Sequence, residues 1–172
     1  MNAAQASAAA LRPFVPADAV RCAEIFRASI EVLAEDDYDE DQRSAWASAA
    51  DDTKAFGARL AAALTLVALD GGEVVGFASL KGKENIDLLY VHPNAARAGI
   101  GAMMIDALTR LATARGAAKL SVDASDTARP LFQRVGFVAQ RRNMVQVGGE
   151  WLANTTMDKA LAAAPNEKTK PS

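Results

Sequence analysis

Residues 90–104, Y-V-H-P-N-A-A-R-A-G-I-G-A-M-M, combine types and spacing that could hold an anion. A β-rich run ends at Pro93, a short loop follows, and Gly99 and Gly101 sit at the mouth of an amphipathic segment. The start of a helix offers unpaired backbone N–H groups and the positive end of the helix dipole. A glycine there lets a phosphate approach the main chain, and Arg97 adds a positive charge beside it. A Rossmann dinucleotide site needs a third glycine and an acidic residue about 20 positions on, and Met104 occupies the third-glycine position. No Gly-Lys-Ser/Thr occurs, so the Walker phosphate loop is excluded too. The plainer alternative is a helix start whose glycines serve packing alone.

The elements that must position this loop can be read on either side of it. Hydrophobic spacing places a strand at 9–14 and a helix capped by Asp18 through about 32. An acidic run from Glu35 to Asp41 leads into a helical segment carrying Trp46, and Thr53 could cap a further helix at 54–63. Strands follow at 65–69 and 74–80, joined by a D-G-G-E turn, and at 85–91. The helix at 99–115 shows one apolar stripe of Ile100, Met103, Met104, Ala107, Leu108 and Leu111, with Gly116 ending it. A strand at 119–124, a short helix at 127–134 and a strand pair at 137–147 and 151–159 complete a mixed α/β domain over 9–161. Residues 1–8 and 162–172 are expected to be flexible tails.

Composition narrows the classes of function. Of the 172 residues 51% are hydrophobic, an ordinary globular share, and the net charge of −2 speaks against a nucleic-acid binder. Cys22 is the single cysteine and His92 the single histidine, so no disulfide and no cysteine- or histidine-based metal site is expected. No apolar run approaches the ~20 residues of a membrane span, and the first residues lack a secretory pattern. The expectation is a cytoplasmic protein without metal, membrane or nucleic-acid partners.

Two segments resemble a known family. V-H-P-N-A-A-R-A-G-I-G-A is similar to the acyl-CoA-binding signature of the GNAT acetyltransferases, and S-D-T-A-R-P-L-F-Q-R-V-G-F, residues 125–137, resembles their second signature. The resemblance implies a mixed, mostly antiparallel twisted sheet of about seven strands, splayed between the fourth and fifth, with about four flanking helices. It implies acetyl-CoA as cosubstrate, an amine as acceptor, and direct attack within a ternary complex. Leu89, Tyr90 and Val91 would offer backbone groups to the pantetheine and the thioester carbonyl. Arg97, Ala98, Gly99, Ile100, Gly101 and Ala102 would wrap the pyrophosphate, and Ser125 and Phe132 would line the pantetheine path. A homodimer would also be in keeping with the family. Two positions differ from its pattern: Ala96 stands where the loop usually opens with Gln or Arg, and Phe132 replaces the tyrosine often given the role of acid.

Acyl transfer to an amine needs a base for the ammonium and a donor to the developing oxyanion. The N–H of Tyr90 or Val91 is expected to be that donor. Glu84 and Asp87 are the candidate bases, Asp87 preferred because strand alternation puts it on one face with Leu89 and Val91. Its alternative is a strand-edge aspartate bound to backbone or solvent. Tyr38 and Trp46 are packing residues that could also line the acceptor side. The acidic run could attract a cationic amine or be a solvated helix start. Arg141 and Arg142 are exposed-strand charges or contacts to a 3′-phosphate. The competing class is a CoA-binding sensor or regulatory module without catalysis.

Overall fold

Seven strands and five α-helices are set out in the computed structural model, which describes residues 9–162. The tails expected at 1–8 and 162–172 fall, but for residue 162, outside the described residues. In chain order the elements are β1 (Ala10–Pro13), α1 (Ala19–Leu33), α2 (Glu40–Ala47), α3 (Thr53–Ala62), β2 (Leu64–Asp70), β3 (Glu73–Lys81), β4 (Asn85–Val91), α4 (Ile100–Ala114), β5 (Lys119–Ser125), α5 (Arg129–Arg134), β6 (Val138–Val147) and β7 (Glu150–Ala160). The eight-residue α2 is the helical segment expected to carry Trp46.

The strands form one sheet in the order β1-β2-β3-β4-β5-β7-β6, antiparallel except for β4 beside β5. That parallel pair is brief: Asn85 faces Ser121 and Ile86 faces Val122, after which the strands part. The sheet therefore opens from Asp87 onward, as the expected splay required.

Both faces are covered, because the strands carry apolar residues on each side. One core cluster joins α4 and α5 to the sheet through Ile100, Met104, Leu108, Leu120 and Phe132. The other joins α1 and α3 through Ile25, Phe26, Phe56, Leu60 and Phe77. On α4 the buried stripe runs through Ile100, Met104, Ile105, Leu108 and Ala112; Met103 and Leu111 lie at its edge. Buried Cys22 belongs to the α1 face, and burial pushes its thiol up to about 12.

Two helix starts differ from their sequence reading. Asp18 does not cap α1 with its side chain; its carboxylate accepts from Val15 N–H at 2.9 Å and from both terminal nitrogens of Arg12. The cap of α3 is Asp52, whose Oδ1 accepts from Ala55 N–H at 3.0 Å, while Thr53 is already helical. At α2, Asp39 and Gln42 form a reciprocal capping box. The acidic run thus has a local structural use, with Asp37 also accepting from Thr127 Oγ1 at 2.8 Å.

Candidate active site

The parting of β4 and β5 strips backbone groups of their ladder partners and leaves a cleft through the sheet. His92 N–H donates to Val75 O at 2.8 Å, toward β3. By strand alternation Tyr90 also faces β3, so the N–H groups of Leu89 and Val91 face the opening. Of the two expected donors, the Val91 N–H faces the opening, with that of Leu89 beside it, and the Tyr90 N–H is turned away.

Two cavities meet in this cleft, sharing Trp46, Leu89, Tyr90, Ser125 and Ala128. The larger, about 540 Å³, runs along the start of α4 and α5. Its wall includes Val91, Arg97, Gly99, Ile100, Gly101 and Ala102, whereas Ala98 is exposed outside the lining. Arg97 has φ +66° and Gly99 φ +83°, and no side chain caps α4. Two left-handed residues around an uncapped helix start turn successive N–H groups toward one concavity, an anion receptor. Arg97 and Arg134 add two exposed guanidinium groups that form no salt bridge among the described residues. Sequence reasoning missed Arg134 and Thr127, which enter this wall from α5 and the loop before it.

The two glycines have different reasons. Nothing lies within 4 Å of a Cβ built on Gly99, so its backbone angle is what requires glycine. A Cβ on Gly101 would meet Leu131 Cδ2 at 2.8 Å. Its absence lets α4 close against α5, a packing reason added to the expected phosphate access.

The smaller cavity, about 180 Å³, is walled by β4, β5, α2 and the β6–β7 hairpin. Tyr38 and Trp46 both line it, and Trp46 lines the larger cavity as well. Tyr38 also ties the wall together: its hydroxyl donates to Ala153 O at 2.6 Å and accepts from Asp126 N–H at 2.9 Å. Trp46 Nε1 donates to the Tyr90 hydroxyl at 3.3 Å. Tyr90 stacks on Phe77 and meets Phe26 edge-on, and withdrawal of its hydroxyl from water pushes the phenol up to about 12. Ser125 Oγ accepts from Ala128 N–H at 3.1 Å, which leaves its O–H free to donate. Phe132 reaches the cavity but is 2% exposed and packs edge-on against Phe137.

The candidate bases fare differently. Glu84 lies in the turn before β4, at the end where β4 and β5 are still joined, and lines neither cavity. Asp87 does reach the smaller cavity, but not by the alternation expected. The register shifts so that Ser79 pairs with Leu88 and Leu80 with Ile86, making Asp87 a bulge residue. The bulge turns Asp87 away from the face of Leu89 and Val91, toward α3, where Arg59 Nε and Nη2 each donate to it at 3.0 Å. His92 Nδ1 accepts from Asn94 N–H at 3.0 Å, a local turn bond. Arg142 is committed to Asp126 and Arg141 to Asn143, and neither lines the larger cavity.

Comparison with known proteins agrees with this geometry. A family profile described as "Acetyltransferase (GNAT) domain" matches residues 34–161. The Escherichia coli (strain K12) protein named "Uncharacterized N-acetyltransferase YafP" is 31% identical over 147 residues, covering 86% of this chain and 93% of that one. A crystal structure from Rhodopseudomonas palustris, described as a GCN5-related N-acetyltransferase and as "Aminotransferase, Class-II", is 57% identical with a TM-score of 0.88, over 90% of this chain and 97% of that chain. The PaiA N-acetyltransferase of Thermoplasma acidophilum, solved in complex with coenzyme A, shares the fold at a TM-score of 0.74 and 16% identity, over 89% and 99% of the two chains.

Proposed function

This chain belongs to the GNAT acetyltransferase family, and from that premise we propose that it transfers an acetyl group from acetyl-CoA to the amine of a small acceptor in a direct-attack ternary complex. The observation that carries the proposal is the cleft itself. An anion-receptive helix start lies at one end, and a small aromatic-lined cavity lies at the other, with strand N–H groups between them. The larger cavity suits a diphosphate-bearing ligand, because Arg97, Arg134 and the start of α4 converge on it.

When bound, acetyl-CoA supplies a thioester carbonyl: a C–N bond forms to the amine, the C–S bond breaks, the amine loses a proton and the thiolate gains one. The residues of this chain would orient and polarise. Val91 N–H, unpaired at the opening, would donate to the carbonyl oxygen as charge builds there. Ser125 O–H would hold the pantetheine arm. Phe132 has no proton to give, so the thiolate, of cysteine-like pKa ~8.5, takes its proton from water. Arg59 occupies both oxygens of Asp87, and the proton leaving the amine passes to water.

A CoA-binding module without turnover is the competing reading, and the same two features, Phe132 and the Arg59–Asp87 pair, favour it. The homodimer and the cytoplasmic location expected above belong with the proposal and rest on the family and the composition. The test is calorimetric titration with acetyl-CoA, with ATP and NAD as controls, followed by free-thiol release in the presence of amines. Selective acetyl-CoA binding with amine-dependent thiol release is expected. Binding without release for any amine would support the module, and absence of binding would end both readings.

A further inference from the structure

The acceptor cavity differs in charge from the rest of the cleft, and the cause is a residue on β5 that the sequence reading passed over. Asp123 lies one step beyond the last β4–β5 pair, where the strands part. It lines the smaller cavity and is exposed. One carboxylate oxygen accepts from Thr156 Oγ1 at 2.6 Å. Thr156 Oγ1 in turn accepts from Asn143 Nδ2 at 2.9 Å, and Asn143 Oδ1 accepts from Arg141 Nε at 3.0 Å. This chain of bonds holds the carboxylate in place from the hairpin side, and its second oxygen has no hydrogen-bond partner among the described residues.

The contrast with Asp87 decides the sign of the cavity. Asp87 is neutralised by Arg59, whereas Asp123 has no cationic partner among the described residues. No lysine, arginine or histidine lines this cavity. Apart from Asp87, Ser125 and Asn154, the rest of the wall is apolar or aromatic, including Trp46, Tyr90, Leu88, Val122 and Leu152. One uncompensated negative charge among such walls favours a ligand with one positive charge and an apolar body. A ligand carboxylate would enter without a cation to receive it. The volume of about 180 Å³ suits roughly six non-hydrogen atoms at the ~30 Å³ that a water occupies.

We propose that Asp123 seats the ammonium of the acceptor and selects a small monocationic amine with an apolar body over an amino-acid zwitterion. The proposal rests on the acyl-transfer reading of the same cleft.

A matched pair of probes tests it: 3-methylbutylamine, and β-alanine, its near-isostere with a carboxylate in place of the isopropyl group. Each is assayed as acceptor by thiol release with wild type and Asp123→Asn. Each is also titrated against the indole N–H resonance of Trp46 with and without acetyl-CoA. Thr156 can still donate to the asparagine oxygen, so the variant should keep its fold. Wild type should favour 3-methylbutylamine by at least about tenfold in kcat/KM, the worth of one charge-assisted hydrogen bond. Asp123→Asn should raise its KM by about tenfold or more, and weaken the indole shift alike, with acetyl-CoA affinity unchanged. An unchanged KM in the variant, a preference for β-alanine, or acetyl-CoA binding with no response to 3-methylbutylamine would overturn the inference. Failure to bind acetyl-CoA would instead strike the acyl-transfer reading, and the indole titration with amine alone would still decide whether Asp123 seats a cation.

Discussion

Arg97 combines a cost and a use in one residue. A left-handed backbone disfavours a residue with a Cβ by about 1–2 kcal/mol, yet at φ +66° Arg97 stands beside the helix start with its charge unpaired. Arg97→Gly removes the strain and the charge together. Stability should stay level or rise within about 1 kcal/mol, since glycine's greater unfolded freedom offsets part of the relief. Affinity for acetyl-CoA should fall by about tenfold. Thermal unfolding and calorimetry separate the two effects, and a loss of stability would mean that Arg97 is structural. Asp87 gives the opposite kind of test. A general base is worth about 10²–10⁴ in rate, so Asp87→Asn should cut kcat by less than that, under about tenfold, if Arg59 keeps the carboxylate occupied. A loss in the larger range would restore Asp87 as base. The residue types at the phosphate loop were legible because backbone chemistry there depends on spacing along the chain. The facing of Asp87 was not: a single bulge there reverses which face its side chain takes, and alternation alone has no means of seeing it.

At the scale of elements, the strands and helices were readable wherever one apolar period ran uninterrupted. The β4 span and the long helix α4 follow directly from alternation and from the stripe through Ile100, Met104 and Leu108. What lay hidden was contact between elements far apart in sequence. Thr156 on β7 orients Asp123 on β5, Arg59 on α3 claims Asp87 on β4, and Tyr38 fastens the loop before α2 to β7. Gly101 belongs to this level as well, because its closeness to Leu131 joins α4 to α5 beside the larger cavity. Gly101→Ala should therefore destabilise by about 1–3 kcal/mol, the usual cost of overpacking, and weaken acetyl-CoA binding. Leu131→Ala in the same chain should recover stability beyond the sum of the single changes, as a double-mutant cycle measures. Loss of affinity alone, with stability intact and no rescue, would show that phosphate access is the whole reason for the glycine.

For the whole molecule, buried titratable groups set the pH range over which the fold is secure. The Arg12 guanidinium holds Asp18 below its ordinary 3.8, and Arg142 does the same for Asp126. A depressed carboxylate stabilises above its unfolded value, and that contribution is lost as the pH falls through its folded one. The alkaline side runs the other way. Burial raises Tyr90 from 10.0 to about 12 and Cys22 from 9.0 to about 12, so the folded state keeps protons that the unfolded chain releases. Their contribution is whole below the unfolded values and declines as the pH rises toward 12. Tyr90→Phe isolates one such group. The lost hydroxyl makes a single long bond, from Trp46 at 3.3 Å, so stability at pH 7 should change by less than about 1 kcal/mol. Above pH ~10, the ordinary phenol value, the variant should lose stability more slowly than wild type and overtake it. Urea unfolding followed by circular dichroism at pH 7, 9, 10 and 11 reads both parts. Parallel decline of the two proteins on the alkaline side would mean that the Tyr90 hydroxyl ionises in the fold as readily as in the open chain, and that the floor of the acceptor cavity is wetter than its aromatic packing implies.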